Sequence, residues 1–305
     1  MDIPAKANTK CHQFLIREKL FESDLIEFEL TKEQQCNLKV KDFEFKNVPQ
    51  LDKQTWVLCR KFIEKYEWLQ CLHQRNTHLF VSTYRNKIAG VIYMSTPNAF
   101  SNILGPSTKD MEKLISRGAC AAFTPKNLGS ALISFAINWM ANNTPFRIFG
   151  GYSDKEAGEL GTIYQACGFI YLGDNYGGNI QIKDPNHPEK GWFSDRESRK
   201  ISYYKRYAAE LSITWDKAWS IKDKMLWDKI PTDISAALKN ASKNFVAKCD
   251  KRYPPSKHKY IKILGPTKKE TKKLNELFLQ YNPTLNHHTV DGRLIGLPYP
   301  KTRGQ

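Results

Sequence analysis

The sequence predicts an α/β fold: a mixed, mostly antiparallel sheet flanked by helices, with a basic helical elaboration set between two of its strands. Three observations predict it. Residues 119–173 read as strand, Gly-bearing turn, helix, strand, turn, helix, strand. Residues 78–94 alternate as two short strands about a polar turn. The charge is uneven: the chain carries +16 in all, with 21 basic against 18 acidic side chains in residues 1–175 but 26 against 13 in residues 176–305. A basic half of that size, with aromatics among its charges, is the composition of a surface that faces a polyanion.

Along the 305 residues, the first fifty give little beyond the strand-like alternation Phe43-Glu44-Phe45-Lys46. Asp52 or Thr55 can cap a helix from Trp56 to about Leu72, with Cys59, Phe62, Ile63, Tyr66 and Leu69 on one face. His78–Tyr84 and Ile88–Met94 form a hairpin about Arg85-Asn86-Lys87. A loop over 96–107 leads to a short helix expected at Asp110–Leu114. The apolar strand Ala119–Phe123 then enters a helix from about Lys126 to Met140, which carries Leu128, Leu132, Phe135, Ala136 and Trp139 on one face. Asn142-Asn143-Thr144-Pro145 stops it. A buried strand follows at Phe146–Gly150, and another at Phe169–Gly173.

After Gly173 come a turn over 174–179, a short strand at Ile180–Ile182, and helical spacings over Glu197–Leu211, Trp215–Trp227 and Asp233–Lys248. His258–Leu264 is strand-like. Thr267 and Glu270 form a capping box for a last helix with Leu274, Leu277, Phe278 and Tyr281 inward. The expected division is a core over 1–173, an elaboration over 174–255, and a returning strand, capped helix and basic tail over 256–305.

Composition sets outer bounds. A hydrophobic content of 41% supports a core. No apolar run approaches the roughly 18 residues that span a bilayer, and Met1-Asp2-Ile3-Pro4 opens no signal-peptide core. The seven cysteines are scattered without Cys-x-x-Cys, as expected of reduced thiols in a cytoplasm, with Cys120 and Cys167 in the core. No zinc pattern and no Ser-His-Asp order is visible. His287-His288 lacks a partner at ligand spacing and reads as a loop, and His258 reads as structural.

Two runs carry chemistry. Lys126-Asn127-Leu128-Gly129-Ser130-Ala131 opens a helix straight after a strand. Free backbone N–H groups and the positive helix end suit a pyrophosphate there, and Gly129 admits close approach; packing alone is the other reading. The second run is Gly161-Thr162-Ile163-Tyr164-Gln165-Ala166-Cys167-Gly168-Phe169. Together the two resemble the GNAT acyltransferase superfamily, which has Arg or Gln where this chain has Lys126. Tyr152-Ser153-Asp154, Gly161–Ala166 and Phe169–Gly173 resemble, more specifically, the Mom family of phage DNA-modification proteins on a GNAT scaffold. That resemblance covers about 80–173 and resumes at His258-Lys259-Tyr260 and Leu297–Lys301.

The resemblance implies acyl-CoA, acetyl-CoA or another activated acyl donor held by Lys126–Ala131, with the N–H groups of Leu128, Gly129 and Ser130 on its phosphates. It implies Tyr164 as proton donor, against the alternative of a packed core phenol. Asp154 is expected as general base or amine ligand if 154–160 folds back. Were Asp154 instead the cap of a helix running to Tyr164, the two would lie about 15 Å apart. Arg196 either grips a phosphate or pairs with Asp195 or Glu197. Tyr203, Lys205 and Arg206 combine stacking faces with cations, as single-strand grooves do. The function expected is phage DNA base modification: transfer of an acyl-type group to an exocyclic amine of a nucleobase, protecting the DNA from host nucleases in the bacterial cytoplasm. The partner is then DNA, with no membrane and no metal. The alternatives are an acetyl-CoA-dependent acetyltransferase acting on a protein, tRNA or small amine, and a non-catalytic DNA-binding protein. The sequence leaves the oligomeric state open, a homodimer included.

Overall fold

The computed structural model describes residues 11–72, 75–97, 101–176, 180–283, 288–290 and 293–301. His287 and part of the turn expected at 174–179 lie outside them. The chain divides into one compact unit over Met1–Tyr176 with Ser256–Gln305 and a second over Gly177–Pro255.

The first unit opens with two helices absent from the sequence reading, α1 (His12–Glu27) and α2 (Lys32–Asn37). Thr31 and Gln34 cap α2 reciprocally. Strand β1 (Glu44–Val48) precedes α3 (Lys53–Tyr66), whose cap is Asp52. The apolar face Cys59, Phe62, Ile63 and Tyr66 is buried as expected, but α3 ends at Tyr66, not near Leu72, and leaves Leu69 exposed. Strands β2 (Asn76–Tyr84) and β3 (Lys87–Ser95) form the hairpin. Its turn residues Arg85 and Asn86 have φ of 49° and 64°, the left-handed pair that matches strand twist.

The helix expected at 110–114 is instead the start of β4 (Glu112–Cys120), after a 3-10 turn at Pro106–Met111. Its first two charged residues are buried with distant partners: Glu112 takes the backbone N–H and hydroxyl of Ser101, and Lys113 donates to Thr96 and lies over the Phe146 ring. Helix α4 (Leu128–Asn143) follows, then β5 (Ile148–Asp154), the short α5 (Thr162–Ala166) and β6 (Ile170–Tyr176).

The second unit holds small strands β7 (Gln181–Lys183), β8 (Phe193–Ser194) and β11 (Asp250–Arg252) in one sheet, the hairpin β9 (Ser220–Ile221) and β10 (Lys224–Met225), and helices α6 (Ile201–Glu210) and α7 (Thr232–Lys248). The helix expected over 215–227 is therefore two 3-10 turns about a two-residue-strand hairpin, whose Lys222 takes φ 50°. Its core is Tyr204, Tyr207, Trp219, Met225, Ile230 and Leu238.

The chain returns to the first unit with β12 (Lys257–Ile263), α8 (Lys268–Tyr281), β13 (His288–Val290) and β14 (Arg293–Gly296). The sheet order is β1-β2-β3-β4-β5-β12-β6-β14-β13. Every pairing is antiparallel except β4 with β5 and β14 with β6. Alternate residues face opposite sides, as a pleat requires. Leu79, Val81, Val91 and Tyr93 pack with α1 and α3, whereas Phe80, Ile92 and Met94 pack with α4. Further along, Ile261 and Ile263 meet Phe278 of α8, whereas Tyr260 meets Tyr164. This is the mixed, mostly antiparallel α/β sheet, with helices on both faces, that the sequence predicts.

Candidate active-site cavity

The parallel strands β4 and β5 pair only at Glu112–Leu114 with Ile148–Gly150. Beyond that point β4 pairs with β3 alone and β5 with β12 alone, so the facing backbone edges have no shared ladder. A cavity of about 470 Å³ lies there. Its lining includes Leu114–Cys120, Pro125, Lys126 and Gly129 on one side and Tyr152–Asp154 and Gly158–Tyr164 on the other. Cys11, Gln13 and Arg17 of the N-terminal segment, Glu67–Leu69 and Lys257 also line it. Cys120, expected in the core, is half-buried on this wall, while burial pushes its thiol up to about 12. All seven cysteines are free thiols.

The loop ahead of α4 is pinned by side chains from the N-terminal helices. Arg17 donates through Nε to the Ala122 carbonyl at 3.0 Å and through Nη2 to that of Thr124. Asp24, fully buried, accepts the Ala122 N–H at 2.6 Å and the Tyr66 hydroxyl at 2.6 Å. Gln35 donates to the Phe123 carbonyl. Of the six residues expected to hold the donor, Lys126 and Gly129 line the cavity and the other four do not. Asn127 caps α4 without a side-chain bond, and Leu128 is buried in the core. The Leu128 N–H is taken by the Pro125 carbonyl at 3.0 Å and the Ala131 N–H by that of Asn127. The Leu128 N–H is thus engaged within the protein, and the N–H groups of Gly129 and Ser130 stand at the same helix end. Ser130 turns its hydroxyl back onto Asn127. Gly129 also makes room for a neighbour, since a Cβ there would sit 2.9 Å from Ile163 Cδ1.

Opposite, β5 ends at Asp154 and residues 155–161 fold back, with the Glu159 N–H on the Asp154 carbonyl at 3.0 Å. Gly158 and Gly161 take φ of +71° and +67°, which side chains resist. At Gly161 a Cβ would also strike the Tyr260 ring at 2.4 Å. The fold-back brings Asp154 and Tyr164 to one cavity. Asp154 pairs with Lys257 at 2.6 Å, and its Oδ1 accepts the Glu156 N–H at 2.9 Å.

Tyr164 is 8% exposed. Its ring stacks on Tyr260 at 5.4 Å and meets Phe169 at 5.2 Å. Its hydroxyl lines the cavity without a hydrogen-bond partner among the described residues. Burial, then the charge of Glu159, raises its pKa, so the phenol holds its proton.

Two carboxylates on this wall were missed by the sequence reading. Glu159 accepts the Asp154 N–H at 3.0 Å. Glu67 is 7% exposed, accepts the Leu69 N–H and stands 3.9 Å from Arg117. Burial is the largest cause that raises the pKa of each. Nothing local marks Glu67, whereas a carboxylate between two glycines just past a strand end is a visible signal for Glu159. His258 is buried behind the site, with Nδ1 2.7 Å from the Tyr171 hydroxyl, as a structural histidine would be.

The remaining candidates belong to the second unit. Arg196 is exposed; Asp195 pairs with Arg199 and Glu197 with Lys200. Arg206 lies over Tyr203, Tyr207 and Phe245 and pairs with Glu210, so its guanidinium and the Tyr203 ring are occupied in packing. Lys205 is exposed, 5.8 Å from the Trp215 ring. Among the described residues no group of His, Cys, Asp or Glu could hold a metal ion, and no helix is long and apolar enough to cross a membrane.

The chain belongs to the Mom protein family, whose model matches residues 50–283. No curated protein matches it. Several solved structures do. A Bacillus subtilis acetyltransferase in complex with CoA is 10% identical, covering 73% of this chain and 99% of that one, with a TM-score of 0.33. A GNAT family acetyltransferase from Elizabethkingia anophelis with acetyl-CoA bound is 12% identical over 73% and 99%, with a TM-score of 0.32. A ribosomal-protein-S5-alanine acetyltransferase from Vibrio fischeri is 12% identical over 46% and 87%, with a TM-score of 0.33.

Proposed function

We propose that this protein is a phage DNA-modifying acyltransferase that moves an acyl-type group from an activated donor, such as an acyl-CoA, to an exocyclic amine of a nucleobase. The carrying observation is the Tyr164 hydroxyl: buried, protonated, unpartnered among the described residues and presented to a cavity between two diverging parallel strands. A phenol held that way donates a proton or hydrogen bond to a group that becomes negative during reaction. The donor's phosphates fit the end of the cavity where Lys126 and Arg17 stand beside the start of α4. When bound, such a donor supplies an activated carbonyl with a thiolate leaving group.

Tyr164 protonates the leaving group, and the carboxylates opposite Lys126 receive the amine. An amine inside a stacked duplex cannot approach a phenol as buried as Tyr164, so the base is extruded or the strand opened first. The basic residues of 176–305 supply phosphate attraction, and binding weakens steeply with salt. The modified bases shield phage DNA from host nucleases in the bacterial cytoplasm.

Mass spectrometry of nucleosides from DNA of cells expressing the chain tests this, beside a Tyr164→Phe control. A new nucleoside that vanishes in the control is the expected result, and its mass gives the group. Unmodified DNA from folded wild-type protein, in the presence of the phage's own DNA, refutes it.

A further inference from the structure

Asp154 has neither carboxylate oxygen free to face a substrate. One of its oxygens bonds Lys257 at 2.6 Å and the other the Glu156 N–H at 2.9 Å. Both oxygens are thus engaged, one by a charged partner and one by the backbone of its own loop. The next carboxylate along the same folded-back loop is Glu159. It lines the cavity, and its donors are neutral: the Asp154 N–H at 3.0 Å and the Trp68 indole. Its proton affinity is raised first by burial and then by the charge of Asp154. Lys257, the Asp154 N–H and the Trp68 indole oppose this but do not cancel it.

The groups around Glu159 come from every element that packs there. They are Asp154 on β5, Lys257 on β12, Glu67 just past α3 with Arg117 of β4 behind it, Tyr164 on α5, and, on α1, Arg17 and His12. The His12 backbone N–H bonds the Ala157 carbonyl, and its ring lies 5.6 Å from that of Trp68. A second observation points into the same space: Tyr164 is more than nine-tenths buried and its hydroxyl has no partner among the described residues. The charges of Glu159 and Glu67 both act on that phenol. The cavity lining thus carries Arg17 and Lys126 near the start of α4 and the carboxylates Glu67 and Glu159 beside Trp68.

We propose that Glu159, not Asp154, is the proton acceptor for the incoming amine, and that Glu159 and Tyr164 form a closed proton circuit. This rests on the acyl-transfer reading. The amine nitrogen bonds the donor's carbonyl carbon, and the bond from that carbon to the leaving sulfur breaks. Glu159 takes the proton shed by nitrogen, and Tyr164 gives its proton to the leaving thiolate. The proton on Glu159 then passes to the Tyr164 phenolate, directly or through one water. Both groups are restored, with no net proton taken from solvent. Burial and the charge of Asp154 make Glu159 bind the proton more tightly than an exposed carboxylate would. Asp154 is a positioning residue: it fixes the loop through its ion pair and its N–H.

The test is the pH profile of transfer to a DNA oligonucleotide by full-length wild type, Glu159→Gln, Glu159→Asp and Asp154→Asn. Glu159→Gln is expected to lose about 10²–10⁴-fold in kcat, with KM within a few-fold, and to lose the acid limb of the profile. Glu159→Asp recovers part of that limb, and Asp154→Asn keeps it. An acid limb that persists in Glu159→Gln, or that disappears only in Asp154→Asn, overturns the proposal.

A second readout needs no turnover. Tryptophan fluorescence in a His12→Gln background, which removes the imidazole 5.6 Å from the Trp68 ring, taken as the difference from Trp68→Phe, is expected to titrate above the usual 4.5 of a glutamate and to stop doing so in Glu159→Gln. A midpoint at or below 4.5 where wild type is active overturns the assignment of Glu159 and leaves acyl transfer standing. The raised midpoint where wild type modifies no DNA overturns the reaction, and with it the circuit.

Discussion

Gly151→Ala is the sharpest test of the site's geometry. Gly151 lies in β5, opposite Tyr260 of β12. A Cβ built there would sit 2.5 Å from Cε1 and Cζ of Tyr164 and 2.9 Å from its hydroxyl oxygen. Carbon atoms rest at about 3.5–4.0 Å, so the ring must retreat by about 1 Å. It has little room, with Tyr260 at 5.4 Å and Phe169 at 5.2 Å. Overpacking of this kind costs about 1–3 kcal/mol, and a displacement of that size at a reacting group costs about 10²-fold in rate. Urea denaturation should therefore show a folded but weakened protein, and nucleoside analysis a nearly inactive one. Tyr164→Phe keeps every ring carbon, so the alanine should destabilise it as much as wild type. Tyr164→Ala removes the clash, and the alanine should then cost almost nothing. Equal destabilisation in the Tyr164→Ala background would refute the reasoning.

Three further outcomes follow from single contacts. Asp24→Ala strands the buried Ala122 N–H and the Tyr66 hydroxyl, at about 1–3 kcal/mol each. Chemical denaturation should show the loss, and CoA affinity should fall as the loop before α4 loosens. Gly129→Ala should leave stability within about 1 kcal/mol of wild type, since Ala favours the helix and the clash is with the far end of Ile163; calorimetry should show weaker CoA binding all the same. Burial, then Lys113, holds the His78 imidazole down to about 4 from 6.5. Its contribution to stability is complete above pH 6.5, where both states are neutral. It is lost as pH falls from 6.5 to about 4, because the unfolded chain takes the proton first. By linkage the loss is at most about 3 kcal/mol, and His78→Gln should flatten the melting temperature against pH in that window.

What could be read from the sequence was what local chemistry writes down. The Arg85-Asn86 turn, the Asp52 and Thr267 caps and the apolar face of α3 each declare themselves within a few residues. The failures share a cause: partners far away along the chain. Helix α1 turns Phe21 and Leu25 to the core but buries Asp24 among them, a carboxylate whose partners, Tyr66 and Ala122, are 42 and 98 residues on, so its apolar face was masked. Strand β4 opens with two charges whose partners lie 11 and 17 residues back, so its alternation was hidden. At the site, Asp154 and Tyr164 could be named because motifs carry them. Glu67 could not, since its role depends on where α3 stops and what β4 places beside it.

The shape of the site depends on a strand that returns only after the second unit has been made. In β12, Lys257 stands opposite Asp154 and Tyr260 opposite Gly151. Lys257 thereby ties down the carboxylate at the strand end, while the Tyr260 ring backs Tyr164 and its hydroxyl holds the Leu160 carbonyl at 2.6 Å. A slip of one residue in this register would send both side chains to the opposite face of the sheet. It would free the folded-back loop that carries Glu159 and leave Tyr164 without its stacking partner. The strand is held on both edges, by β5 and by β6, whereas the seventy-nine residues of Gly177–Pro255 pack about a core of their own. Changes inside that second core are therefore expected to leave the cavity as it is, and substitutions at Tyr260 or Lys257 to disturb it.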